Sequence, residues 1–143
     1  MADSKRQQIC TKVDTLLKTI KTASGYETNL GNKVYEWRAI PIEDDAPPAC
    51  VWKETESIRP FASGTWVHTI ALEILLYGNT PAEVRKMVKD VITAIGTKKT
   101  WDGLAIKTEL RSEDTGAEQK SKLVFVSHLT FEIDYLSTYW SAT

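Results

Sequence analysis

From Trp66 to Tyr77 the chain alternates strictly. Trp66, His68, Ile70, Leu72, Ile74 and Leu76 fall on one side, and Val67, Thr69, Ala71, Glu73, Leu75 and Tyr77 on the other. A period of two sustained this long predicts a strand, opening near Gly64, with one face deeply buried and one mixed. Gly78-Asn79 breaks the strand, and Thr80-Pro81-Ala82-Glu83 starts a helix. Threonine caps, proline suits the first helical position, and Glu83 is spaced to close a capping box. Val84, Met87, Val88, Val91, Ile92 and Ile95 then recur at helical spacing, and Gly96 is placed to end the helix. A strand whose helix folds back over its apolar face is half of a two-layer domain.

The remaining segments are read the same way. Asp3 or Ser4 can cap a first helix, with Gln7 spaced to complete a weak box from Ser4. Ile9, Val13, Leu16, Leu17 and Ile20 form its stripe, and Ser24-Gly25 marks its end. Lys5, Lys12, Lys18 and Lys21 occupy the other face and read as solvated, with an anionic partner as the competing use. Tyr26 to Lys33 is turn-rich, and Val34 to Ile40 alternates as a strand that Pro41 stops. Ile42 to Pro48 joins the acidic run Glu43-Asp44-Asp45 to a proline pair, which reads as a solvated loop or a contact for a basic partner. Ala49 to Lys53 is a short strand, and Glu54 to Ser63 is expected to be an irregular loop. Arg59 and Phe61 on that loop are of the types enriched at interface centres, although Phe61 could instead tuck under the sheet edge.

Beyond the central helix, Lys98-Lys99 suits the negative end of its dipole, and Asp102-Gly103 makes a turn. Leu104 to Arg111 alternates as a strand, and a partner runs from Lys122 to about Tyr135. Between them Ser112 to Ser121, including Glu113 and Asp114, is almost wholly polar and is expected to be a long hairpin tip ordered by a partner. Tyr139 and Trp140 in the tail are expected to pack on the domain or meet a neighbouring subunit. The element order predicts an α+β fold in one domain over residues 1–143: a mainly antiparallel sheet with both helices on one face. The other face, carrying Val67, Leu75, Tyr77, Val124 and Val126, is apolar enough to favour self-association.

Composition changes this picture little. The chain has 143 residues, 42% hydrophobic and 26% charged, which are globular values, and a formal net charge of -1 that argues against a general nucleic-acid binder. The polar start shows no apolar run resembling a signal peptide, and no stretch approaches the roughly 20 residues a membrane helix needs. A cytoplasmic origin is the expectation. Cys10 and Cys50 are far apart, lack Cys-x-x-Cys spacing and read as small buried hydrophobes rather than a disulfide.

Candidate chemistry is sparse. His68 and His128 fall in strands that could pair, but they lie in oppositely directed sets, and no further ligand recurs at a fitting spacing. There is no nucleophile elbow, Gly-rich phosphate loop or Walker lysine, and the serines lack an evident base. No catalytic, metal or cofactor-binding residue is assigned. The residues favour a binding or assembly protein over an enzyme. A small-ligand or enzymatic α+β domain, centred on His68 or His128, is the reading from another class.

Several phrases together resemble a known family. They are an amphipathic first helix ending near Gly25-Tyr26, Val34-Tyr35-Glu36-Trp37-Arg38, and Pro-Pro-Ala-Cys-Val-Trp at 47 to 52. Glu54 and Glu56, Gly64-Thr65-Trp66, the Thr-Pro-Ala-Glu helix start and a closing hairpin complete the set. In this order they resemble the tail-terminator (minor tail protein U-like) proteins of long-tailed bacteriophages, across nearly the whole chain. The resemblance implies a homohexameric ring that caps the tail tube, ends its polymerisation and offers a surface to the head connector. Its partners would be further copies of itself, the tail tube protein and a head-completion protein. DNA would pass through the lumen unbound, with no membrane and no cofactor involved. The location would be the head-proximal end of the virion tail, with assembly in host cytoplasm. A neck or head-completion protein of similar fold is the alternative. Asp44, Asp45, Arg59, Phe61, Tyr77, Glu113, Asp114 and Trp140 are the expected contacts with subunits or partners.

Overall fold

The computed structural model describes residues 3–37, 48–119 and 123–138. Its elements are α1 (Lys5–Lys18), β1 (Val34–Glu36), β2 (Ala49–Pro60), β3 (Thr65–Gly78), α2 (Pro81–Gly96), β4 (Lys107–Gln119) and β5 (Leu123–Thr138). The strands form one sheet ordered β1-β2-β3-β5-β4. β1 runs parallel to β2, and the other pairs are antiparallel. This is the α+β fold that the pattern predicts, in the expected element order.

The central strand and helix form as their residues dictate. Inward-facing Ile70, Leu72, Ile74 and Leu76 of β3 lie opposite Ile133, Phe131, Leu129 and Ser127 of β5. They share one core with Ile9, Val13 and Leu17 of α1 and Val84, Met87, Val91 and Ile95 of α2, so both helices cover the same sheet face. Each such aliphatic side chain contributes about 1.5–3 kcal/mol on full burial. Thr80 Oγ1 accepts from Glu83 N–H at 3.1 Å, and Glu83 Oε1 accepts from Asn79 N–H at 2.8 Å, so the cap closes one residue early. A Cβ on Gly78 would stand 2.7 Å from Val84 Cγ2, so only glycine lets strand and helix approach this closely.

The first helix is shorter than its stripe implies. Ser4 caps it as expected, accepting from Gln7 N–H, but Gln7's side chain bonds Thr11 instead of closing a box. The helix stops at Lys18, and Ser24-Gly25 belongs to a separate 3-10 turn over Thr22–Ser24. Gly31 explains the early stop: its N–H donates to Ile20 O at 2.9 Å, and a Cβ there would lie 2.6 Å from Lys18 O. Ile20 is fully buried all the same. Asp90 of α2, 3% exposed, accepts from Glu27 N–H, Thr28 N–H and Thr28 Oγ1 at 3.1, 2.8 and 2.7 Å. One carboxylate thereby ties the second helix to the turns after the first.

Four sequence expectations are corrected. The irregular loop over Glu54–Ser63 is mostly strand: β2 runs to Pro60, paired residue by residue with β3. The hairpin turns through residues 61–64, where Thr65 N–H donates to Ala62 O at 3.3 Å and Ser63 and Gly64 both take positive φ. β4 starts at Lys107 rather than near Leu104. Trp101, Asp102 and Gly103 all take positive φ in the turn before it, and Trp101 is fully buried with Nε1 donating to Thr108 Oγ1 at 2.9 Å. Burial of the indole offsets the roughly 1–3 kcal/mol that each strained non-glycine position costs.

The long tip over Ser112–Ser121 is strand as far as Gln119, paired down to Gln119 opposite Leu123, with a register shift between Leu110 and Ser112. Nor is the sheet face away from the helices greasy throughout. Val67, Val124 and Val126 are buried within the single chain, and Leu75 and Tyr77 are half-buried. Paired charges dress much of the rest: Arg111 meets Glu109 and Glu132 at 3.2 and 3.0 Å and Lys107 meets Glu109 at 2.8 Å, while a His128 ring nitrogen lies 3.1 Å from Glu73 Oε1. The strand expected over Val34 to Ile40 is seen to Glu36, and its last three positions, like the acidic loop and the tail from Tyr139, lie outside the described residues.

Candidate functional site

Two arrangements stand out, one buried and one exposed. The buried one forms where β2, β3, β5 and the start of α1 meet. After Cys50 and Trp52, β2 turns Glu54 and Glu56 toward the helices. Arg6 reaches down from α1, with Nε 2.7 Å from Glu54 Oε2 and a terminal nitrogen 3.5 Å from Glu56 Oε2. Tyr135 of β5 donates its hydroxyl to Glu56 Oε1 and stacks on His68, with ring centroids 4.4 Å apart. Burial, then the bond to Glu56, pushes the Tyr135 phenol up, so it remains a proton donor.

His68 completes the cluster. Its Nε2 lies 2.6 Å from Ser137 Oγ, and its Nδ1 lies 3.3 Å from Glu56 Oε1. That second approach is within ion-pair range but off the line a hydrogen bond requires, so Nδ1 is buried without a hydrogen-bond partner. Serine, histidine and carboxylate thus follow one another in the order a hydrolase uses. The surroundings oppose that chemistry. Ser137 is 3% exposed, Glu56 is engaged by Tyr135 and Arg6, and neither described cavity reaches the cluster. The geometry is that of a tie holding α1 to three strands. Sequence reasoning placed His68 but missed Arg6, Glu54, Glu56, Tyr135 and Ser137 as its partners. The available signal was that both acids continue the inward set begun by Cys50 and Trp52.

His128 sits on the opposite sheet face with Glu73, so the two histidines cannot share a ligand. Among the described residues no group of three His, Cys, Asp or Glu stands close enough to hold a metal ion. Cys10 and Cys50 are buried free thiols; burial, then Glu54, pushes Cys10 up to about 12, and burial pushes Cys50 up as well. The cavities are elsewhere: about 410 Å³ beside Thr22, Asn29 and Thr80, and about 340 Å³ beside Leu16, Lys98 and Trp101.

The exposed arrangement concerns contact. Arg59 and Phe61 stand at one end of the sheet, Phe61 in the β2–β3 turn and 57% exposed. Tyr77 lies at the other end of β3, about 33 Å away at 3.3 Å per residue. Glu113 and Asp114 are exposed on β4, opposite Leu129 and His128, and so point to different faces. Asp44, Asp45 and Trp140 lie outside the described residues. The expected contacts therefore do not converge on one site. Sequence reasoning missed Ile58, Ile106 and Leu110, which are 52%, 50% and 44% exposed along the two margins of the sheet. Charge is also divided. Residues 5–33 and 81–106, the helical layer, carry eleven basic and five acidic residues, against four and ten in the strands. The near-neutral total therefore conceals two oppositely charged layers.

No protein-family model and no curated protein matches the chain in sequence. Among solved structures it resembles a chain of the virion of a native gene transfer agent (GTA) particle. The TM-score is 0.56 at 14% identity, over 94% of this chain and 92% of that one. The likeness is one of fold. Among the described residues no helix is long and apolar enough to cross a membrane.

Proposed function

We propose that this chain is a structural subunit of a phage-type virion, and that its copies close into a ring capping the tail tube. The ring would end tube growth and offer its far side to the head-completion protein. The observation that carries the reading is the shared fold with a chain of the GTA virion across nearly the full length of both. Three features of the molecule support it. Among the described residues the sheet has open margins bearing exposed apolar side chains, as a subunit that contacts copies on two sides requires. The polar cluster around Glu56 is buried apart from Arg6 and fastens the layers instead of opening to a substrate. The sheet face away from the helices carries paired charges, which suits a wall past which DNA slides without sticking.

A neck or head-completion role is the second reading, because the shared fold is that of a chain of the GTA virion and does not single out its tail. Purified protein mixed with purified tail-tube polymers separates the two. Electron micrographs should show six-membered rings seated on tube ends, and tubes so capped should stop elongating. Rings that ignore tube ends but bind a head connector would favour the neck reading. A protein that stays monomeric with either partner would refute both.

A further inference from the structure

Two margins of the sheet are open among the described residues. β4 is the last strand, so its outer edge has no neighbour over residues 107–119. β1 covers β2 only at Cys50, Val51 and Trp52, which leaves the outer edge open over residues 53–60. Three successive antiparallel pairings make β2 and β4 run in opposite directions. If the β4 margin of one copy meets the β2 margin of the next, the strands are antiparallel and the sheet simply continues.

The side chains on these margins match. Ile58 lies opposite His68, which lies opposite Tyr135. Ile106 donates its N–H to Asp134 O, one residue from that level, so Ile58 and Ile106 stand at about the same height on opposite margins. Leu110, opposite Phe131, points to the helix side of the sheet, as does Ile58, opposite inward-facing His68. Ile92 is two residues beyond Asp90, about 200° round the helix. It therefore lies on the flank of α2 turned away from the Asp90 contact and toward β4, 37% exposed.

We propose that a second copy of this chain docks its β2 margin, residues 53–60, antiparallel along β4 of the first. Ile58 of one copy then seats against Ile106 of the other, and Leu110, with Ile92 of α2 beside it, faces the Glu54 end of the same margin. The contact is heterologous: each copy uses one margin to give and the other to receive, and so propagates around a ring. This inference rests on the ring reading and adds the surfaces that meet.

Directed cross-linking tests it. Opposed residues of an antiparallel pair hold their Cβ atoms about 4.5–5.5 Å apart, close enough for a disulfide after slight adjustment. Ile58→Cys and Ile106→Cys are introduced singly and together, and oxidised under mild conditions. Native Cys10 and Cys50 are buried and should not compete. The doubly substituted chain should give a ladder of covalent oligomers. The two single variants should cross-link when mixed and not when alone. A separate Leu110→Asp variant, shown folded by circular dichroism, should raise the apparent dissociation constant at least about tenfold. Rings that form without this cross-link, or with Leu110→Asp at full strength, overturn the interface and leave the ring reading standing. Single variants that cross-link to themselves overturn its heterologous character. If Ile58→Asp abolishes tube capping but spares the ring, the β2 margin serves another protein, and the proposal fails. No species above monomer, with or without tube polymers, sinks the ring reading and the interface together.

Discussion

Removing one hydroxyl, in Tyr135→Phe, tests whether the buried polar cluster holds the fold together. The phenol donates to Glu56 Oε1 from a residue that is 1% exposed, and the Glu56 side chain is 8% exposed. Without that donor the carboxylate keeps Arg6 at 3.5 Å and the misaligned Nδ1 of His68 at 3.3 Å. A hydrogen bond to a charged group is worth about 1.5–3 kcal/mol, and a ring without its hydroxyl leaves no cavity of note. The expected loss is therefore about 2 kcal/mol. At roughly 4 °C per kcal/mol for a chain of this size, the melting temperature should fall by about 8 °C. Glu56→Met removes the acceptor at similar volume, so a double-mutant cycle in urea isolates the pair. Coupling of about 1.5 kcal/mol is expected by analogy with other buried charge-assisted bonds. A coupling under about 0.5 kcal/mol would mean that water serves Glu56 equally well, and that the cluster is not a fastening.

Three more perturbations follow from the geometry. Asp90→Ala leaves three donors unanswered and should cost about 3 kcal/mol in urea unfolding, with Asp90→Asn losing less. Gly78→Ala forces a Cβ to 2.7 Å from Val84 and should destabilise by about 1–3 kcal/mol, whereas Gly96→Ala, with nothing within 4 Å, should stabilise by roughly 0.8 kcal/mol. Hydrogen bonds from Lys12, then Lys98, hold the exposed Asp102 carboxyl below its usual range. A lowered folded-state pKa gives stability that is present above the unfolded value, about 3.9, and lost as pH falls through the folded one. Acid titration by NMR should show Asp102 titrating low, moving back toward the ordinary value in Lys12→Ala or in high salt.

What could be read from the sequence tracks how each segment hides or shows its period. β3 and α2 were legible because every inward position between Ile70 and Ile95 except Asp90 is apolar and each end carries its own stop signal. The second half of β2 was not, because Glu54 and Glu56 occupy inward positions. Polar residues alternating with polar residues show no period, and their partner Arg6 is 48 residues away from Glu54. Outer β4 failed for a related reason: from Arg111 to Ala117 every residue is exposed, so neither face is marked by apolar side chains. Trp101 stands alone between a helix and a turn, and its burial depends on a backbone conformation no pattern announces. Of the expected contact residues, Arg59 and Phe61 were found by residue type. Ile58, Ile106 and Leu110 escaped because exposure at a sheet margin depends on strand order.

The opposed charges of the helical and strand layers bear on how fast copies meet. A body that is positive on one side and negative on the other experiences a torque in a neighbour's field before any atoms touch. Encounters are thereby biased toward one approach angle, and fewer collisions are wasted. Association should slow steeply between low and physiological ionic strength, while the lifetime of the finished contact, set by Ile58, Ile106 and Leu110, should barely change.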